Sequence, residues 1–269
     1  MSERAVIHLG TSSFTAAGWP GTFYPENAKP AEYLSYYARQ FDTVEVDSTF
    51  YRAPSATTVR GWYEKTPANF IFAAKVPQEI THEKVLVDCT AELSKFLAAM
   101  DQLREKLGPL LFQFPYFNRA KFKSGAEFFA VLEPFLETLP RGYRFAVEIR
   151  NKAWLDNRLL DMLRRRGIAL ALIDHPWLPR PVELLRRIDP ITADFTYIRW
   201  LGDRKAIEER TKSWDKTIVD RTGELREWVN VVYKITGRGI PVFAYANNHY
   251  AGHAPATIRL FEQLLAQSR

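Results

Sequence analysis

Eight short runs rich in Val, Ile, Phe and Tyr recur along the chain, at residues 6–10, 43–47, 70–75, 110–114, 144–148, 168–173, 195–199 and 242–246. Between most of them the apolar period changes from 2 to 3.6, the change that separates a strand from an amphipathic helix. Leu93, Phe96, Leu97, Met100 and Leu107 form one helical stripe, and Phe128, Val131, Leu132, Phe135, Leu136 and Leu139 a second. The second opens with the capping-box pattern Ser124-Gly-Ala-Glu127 and carries a kink signal at Pro134. Leu225, Trp228, Val229 and Val232 make a third stripe that stops at Gly237, and Ile258, Phe261, Leu264 and Leu265 a last one. Strands that alternate with helices pair in parallel.

An open doubly wound sheet competes with a closed barrel. Gly10-Thr-Ser-Ser-Phe14 lacks the Gly-x-Gly-x-x-Gly turn expected after the first strand of a dinucleotide fold. The count of eight and the 269 residues favour a TIM-type (β/α)8 barrel of the α/β class, which typically takes roughly 250 residues. No linker or repeat interrupts the chain, so residues 1–269 read as a single domain.

Apolar residues at 46% and charged residues at 25% exclude a disordered class. Cys89 is the only cysteine, which excludes an internal disulfide and a thiolate zinc site. Met1-Ser2-Glu3-Arg4 runs into a strand without an apolar signal region, and no run approaches the length of a membrane helix. A cytoplasmic monomer with no membrane partner is expected. The net charge is +6, with the excess in residues 151–269 (20 Lys+Arg against 14 Asp+Glu). Part of it is Arg164-Arg165-Arg166 before Gly167, where cations complement a helix dipole. Asp203–Arg221 holds six cations against five anions and reads as a solvated face.

Strand parity then sorts the polar residues. Val44 and Val46 share a face, so Glu45 and Asp47 take the other. Phe145, Val147 and Ile149 oppose Ala146, Glu148 and Arg150, and Ile198 opposes Tyr197 and Arg199. His8, Gly10, Lys75 and Gln113 are polar or small positions in apolar runs, Asp174 ends the sixth strand, and Asn247-Asn248 follow the eighth. Most lie at C-terminal strand ends, where barrel enzymes keep their sites. Buried charge is costly unless paired or used, so this set predicts a polar pocket.

These residues also fall in motifs that resemble the YecE-like family, catalogued as domain of unknown function 72. The motifs run in order: Leu9-Gly-Thr-Ser-Ser-Phe14 with Trp19, Gly21 and Phe23-Tyr24-Pro25; Val44-Glu-Val-Asp-Ser-Thr-Phe-Tyr51; and Phe72-Ala-Ala-Lys75 with Ile80-Thr81-His82. Leu111-Phe-Gln-Phe-Pro115, Val147-Glu-Ile-Arg150 with Trp154, Tyr197-Ile-Arg199, and Asn247-Asn248 with Gly252-His253-Ala254 follow. The resemblance implies a barrel and assigns no reaction. Asp47 stands where many members carry asparagine, and Trp200-Leu201-Gly202 where many carry His-Gly, so a role resting on that histidine does not carry over.

The residues point first to a hydrolase or lyase acting on a phosphate-bearing or nucleic-acid-like substrate. Glu45 and Glu148 are the acid–base candidates, and Lys75 and Arg199 the charge stabilisers. Asp47, Tyr51, Gln113, Arg150, Asp174, Asn247, Asn248 and His253 form the expected binding shell. Two other readings stand beside it. One is a non-catalytic nucleic-acid-binding protein that stacks bases on aromatics beside cations. The other is a carbohydrate-active enzyme using the carboxylate pair. No metal-ligand motif occurs: His249 and His253 are four apart, but Gly252 intervenes and the segment reads as a loop. No cofactor is expected, and magnesium held through substrate phosphates stays open.

Overall fold

The computed structural model describes residues 5–268, so the N-terminal segment Met1–Arg4 lies outside the described residues. Eight parallel strands alternate with helices: β1 (Ile7–Thr11), β2 (Thr43–Val46), β3 (Ile71–Lys75), β4 (Leu107–Gln113), β5 (Phe145–Glu148), β6 (Ala169–Asp174), β7 (Thr196–Trp200) and β8 (Val242–Ala246). Hydrogen-bonded neighbours run β1-β8-β7-β6-β5-β4-β3-β2, which wraps a single (β/α)8 barrel. Inside it, Ala73, Leu111, Ala146, Ala171, Tyr197 and Tyr245 pack as one apolar cluster. The other strand faces pack with the helices into a larger cluster that includes Phe112, Val147, Trp228 and Phe261.

β1 and β2 meet at a seam that side chains close. The Tyr37 hydroxyl accepts from Thr11 N at 2.8 Å and donates to Thr43 O at 3.1 Å. Asp42 accepts from Leu9 N at 3.2 Å and pairs with His8 Nδ1 at 2.7 Å. Gly10 is needed here, because a Cβ would stand 2.1 Å from Thr43 O. His8 therefore belongs to the seam, stacked on Phe243 at 4.7 Å.

The helices follow the apolar stripes with one correction. The first stripe ends at Met100, Asp101–Lys106 forms a tight 3-10 segment, and Leu107 opens β4. Pro109 disfavours helix at Gly108, so Leu107 matched the helical period by spacing alone. Ser124 accepts from Glu127 N at 3.4 Å, while the Glu127 carboxylate returns to Lys123 N rather than to the cap itself. Arg164-Arg165-Arg166 fills the last turn of helix Asn157–Arg166, ahead of Gly167 at φ 61°. Its side chains are engaged by Asp161, Glu133 and Leu139 O. Asn248–Ala251, expected as loop, is one helical turn. No helix among the described residues is long and apolar enough to cross a membrane.

Candidate active site

Glu45, Lys75, Glu148 and Arg199 end alternating strand positions that face the barrel axis, and the structure brings them together. Arg199 donates through one terminal nitrogen to Glu148 Oε2 at 2.6 Å and through the other to Glu45 Oε1 at 2.8 Å. The second Glu45 oxygen accepts from the Tyr197 hydroxyl at 2.6 Å, and the second Glu148 oxygen from Arg150 Nε at 2.6 Å. Glu45 and Glu148 have no exposed surface, and Arg199 is 3% exposed. An ion pair so deeply buried is held only where each oxygen and donor is satisfied, a condition nearly met here. Arg199 Nε is the exception, buried with no protein partner.

These contacts fix protonation. Burial raises the Glu148 carboxyl, but Arg150 and Arg199 outweigh it and hold it at about 2. Glu148 is thus a permanent anion at neutral pH with no proton to deliver. Lys75 lies among the same charges but makes no hydrogen bond or ion pair through Nζ among the described residues. Its ammonium stands 4.2 Å over the Phe50 ring. Burial, then repulsion from Arg199, lowers it from 10.5 to about 8 against the pull of Glu45, Glu148 and Asp47. Asp47 moves the other way: burial and then Glu45 raise its carboxyl. A poised amine and a raised carboxyl in one mouth are the combination that general acid–base chemistry requires.

Next to them, His82 sits on a π-helical turn, Glu79–Glu83, with Nδ1 2.8 Å from the Thr81 hydroxyl and its ring 4.9 Å from Phe50. Burial, then Lys75 and Arg150, lower it to about 4, so it is a neutral imidazole. The chain leaves this turn through Val85, Leu86 and Asp88, all with φ between 47° and 68°. Three non-glycine residues in left-handed conformation are strained, and such strain concentrates at functional sites.

The expected binding shell divides. Arg150 reaches the mouth, and neither of its terminal nitrogens has a partner among the described residues. Gln113 pairs in register with Glu148 and donates Nε2 to Phe114 O at 3.0 Å. Tyr51 stands on the rim, 72% exposed. Of the other four, Asp174, Asn247 and Asn248 are engaged in structural ties, and His253 is buried with Nε2 lacking a hydrogen-bond partner among the described residues. Asp174 falls on the helix-facing alternation of β6 and accepts from Trp228 Nε1 at 2.7 Å and the Tyr250 hydroxyl at 3.0 Å. Asn247 caps the turn Asn248–Ala251 through His249 N at 2.9 Å. Asn248 accepts from Trp19 Nε1 and Ala254 N. His253 is buried edge-on to Trp19 at 6.3 Å. Among the described residues no three His, Cys, Asp or Glu side chains converge to hold a metal ion.

Tyr197, Phe50 and His82 belong to the site although polarity alone did not mark them. Tyr197 shares the parity of Arg199, which is the signal that identifies it. Phe50 lies in the helical turn Ser48–Tyr51 and His82 in the π-helical turn, outside the strands, where no alternation applies.

The model of the family described as "Protein of unknown function DUF72" matches residues 8–269. The UPF0759 protein YecE of Escherichia coli (strain K12) is 31% identical over 158 residues, 57% of this chain and 54% of that protein. That match spans about half the length of the relative. The UPF0759 protein YunF of Bacillus subtilis (strain 168) is 24% identical over 267 residues, covering 93% of this chain and 91% of YunF. A crystal structure of a DUF72 family protein from Thermotoga maritima superposes with a TM-score of 0.76 at 29% identity, covering 97% of this chain and 99% of that one.

Proposed function

This chain belongs to the DUF72 family, and from that premise we propose that its barrel mouth is the active site of a lyase acting on a phosphate-bearing substrate. The observation that carries the reading is Lys75, a half-buried amine with no ion pair among the described residues, lowered to about 8 so that roughly a tenth of it is free base at pH 7 and able to take a proton. In this reading Lys75 removes a proton from carbon, the electron pair forms a double bond, and the carbon–oxygen bond to phosphate breaks. The departing phosphate is met by the terminal nitrogens of Arg150, a fork suited to bidentate anion binding. The phosphate leaves as an anion paired with Arg150, and the proton taken from carbon stays on Lys75. Arg199, Glu45 and Glu148 act as positioning residues that hold Arg150 and set the field at Lys75.

Hydrolysis would use the same base on water and is distinguished by a saturated product. The glycosidase reading loses support from the network: both carboxylates are locked onto one guanidinium, and Glu148 at about 2 cannot be the protonated acid.

Calorimetry with inorganic phosphate tests the anion half of the proposal. Binding to the parent protein that is lost in Arg150→Gln and retained in Tyr51→Ser is expected. Equal binding by parent and Arg150→Gln contradicts it.

A further inference from the structure

Five large apolar side chains are strongly exposed among the described residues, and three of them are aromatics on loops at the mouth. Tyr51 follows β2, Tyr116 follows β4 and Trp177 follows β6, with exposures of 72%, 62% and 71%. Exposed aromatics on alternate loops around a polar pocket form platforms for flat rings.

Charge separates the three. Tyr51 shares its cleft with Glu79, Glu83 and Glu92 and with the cations Arg52 and Lys95, and Glu92 is paired with Lys84. Tyr116 opens Tyr116-Phe-Asn-Arg-Ala-Lys-Phe-Lys123, and no Asp or Glu occurs from Gln113 to Gly125. Arg119, Lys121 and Lys123 are exposed there and form no ion pair among the described residues. Asn151, the residue after Arg150, pins this loop by accepting from Phe117 N at 2.9 Å and donating to Phe117 O at 2.8 Å. Phe117 in turn packs on Trp154 at 6.1 Å. On the other side of β5, Trp177 stands edge-on to His175 at 5.2 Å, and its amide donates to His175 Nδ1 at 3.2 Å. The two line a cleft of about 550 Å³ with the cations Arg204, Lys205 and Lys212 and the acids Asp203, Glu208 and Glu209. Glu208 is taken up by Arg204 and His249, which leaves Lys205 and Lys212 as the cations without an ion pair among the described residues. Arg150, between the two loops, also bears on His175.

We infer that the mouth takes a single-stranded nucleic acid, laid over the β4–β6 rim with bases on Tyr116 and Trp177 and a phosphate at Arg150. The inference rests on the anion-binding reading of the pocket and names its substrate class. Base stacking beside unpaired cations is how single strands are held without sequence readout.

A 5′-phosphorylated, fluorescein-labelled single-stranded DNA of about eight nucleotides, followed by anisotropy, tests the inference. Binding should weaken with salt by about 0.7 log unit per log unit for each neutralised phosphate. Replacing Arg119, Lys121 and Lys123 together by Gln should lower that slope by about 2. Tyr116→Ser and Trp177→Ser should each weaken binding about tenfold, and Val6→Ser, at the exposed residue before β1 and away from the mouth, should leave it unchanged. No binding of the strand, with inorganic phosphate still held through Arg150, overturns the rim and spares the pocket. A strand bound equally by parent and Arg150→Gln overturns the placement of its phosphate at Arg150, and the pocket reading falls only if inorganic phosphate is also bound equally by the two. Salt-independent binding shared with a neutral oligosaccharide assigns the aromatics to sugar rings and overturns the inference.

Discussion

Lys75 Nζ lies 4.2 Å over the ring of Phe50, and no carboxylate stands within ion-pair distance of it among the described residues. The ring offers the ammonium a weak cation–π attraction, which does not replace lost water. Lys75 is therefore a charge held at the expense of folding. Because its pKa falls from 10.5 unfolded to about 8 folded, the folded chain binds fewer protons between those values, and stability rises with pH across that window.

Lys75→Met should accordingly raise the melting temperature at pH 7, with the gain shrinking from pH 8 towards 10.5. Thermal melts of parent and variant across that range check the sign. A loss of stability at pH 7 would mean that Lys75 is a structural cation.

The Arg199 network predicts the opposite behaviour. Glu148→Gln leaves Arg199 and Arg150 short of a charged partner and should destabilise by about 3–5 kcal/mol, as expected for breaking a fully buried pair. Glu148 is depressed from 4.5 to about 2, so its contribution is present above pH 4.5 and is lost as pH falls through 2. Denaturant titrations at pH 7 and pH 3 measure both effects, and the cost of Glu148→Gln should be smaller at the lower pH.

At the β1–β2 seam one hydroxyl serves two backbone groups. Tyr37→Phe leaves Thr11 N and Thr43 O without this partner and should cost about 1–3 kcal/mol. A cost below that range, by urea unfolding, would mean that packing alone closes the barrel.

Much of this was legible in the sequence because burial imposes a period. Each of the eight strands lies within three residues of its apolar run, and the alternation of Val44 against Glu45, Val147 against Glu148 and Ile198 against Arg199 placed the polar network correctly. Alternation also held the clue for Asp174, which shares the parity of Leu172 and faces the helices. Proximity to a strand end outweighed it in the sequence reading. Residues outside the strands carry no such period, so the roles of Phe50, His82, Asn247 and Asn248 emerged only when the chain was folded. The depression of the Glu148 carboxyl depends on its distances to Arg150 and Arg199, which no pattern encodes.

Asp174→Ala separates structural ties from the site. Removing the acceptor of Trp228 and Tyr250 should cost about 1–3 kcal/mol for each stranded donor, with phosphate binding unchanged at a temperature where the variant is folded. Lost phosphate binding in a folded variant would return Asp174 to the binding shell.

The most direct test is the titration of Lys75 itself. Reductive methylation with 13C-formaldehyde labels the lysines, and loss of one resonance in Lys75→Arg assigns the signal. A midpoint near 8 is expected, against 10.5 for an ordinary lysine. A midpoint at 10.5 would show an ammonium with almost no free amine at neutral pH, and the proposal that Lys75 takes the substrate proton would be wrong.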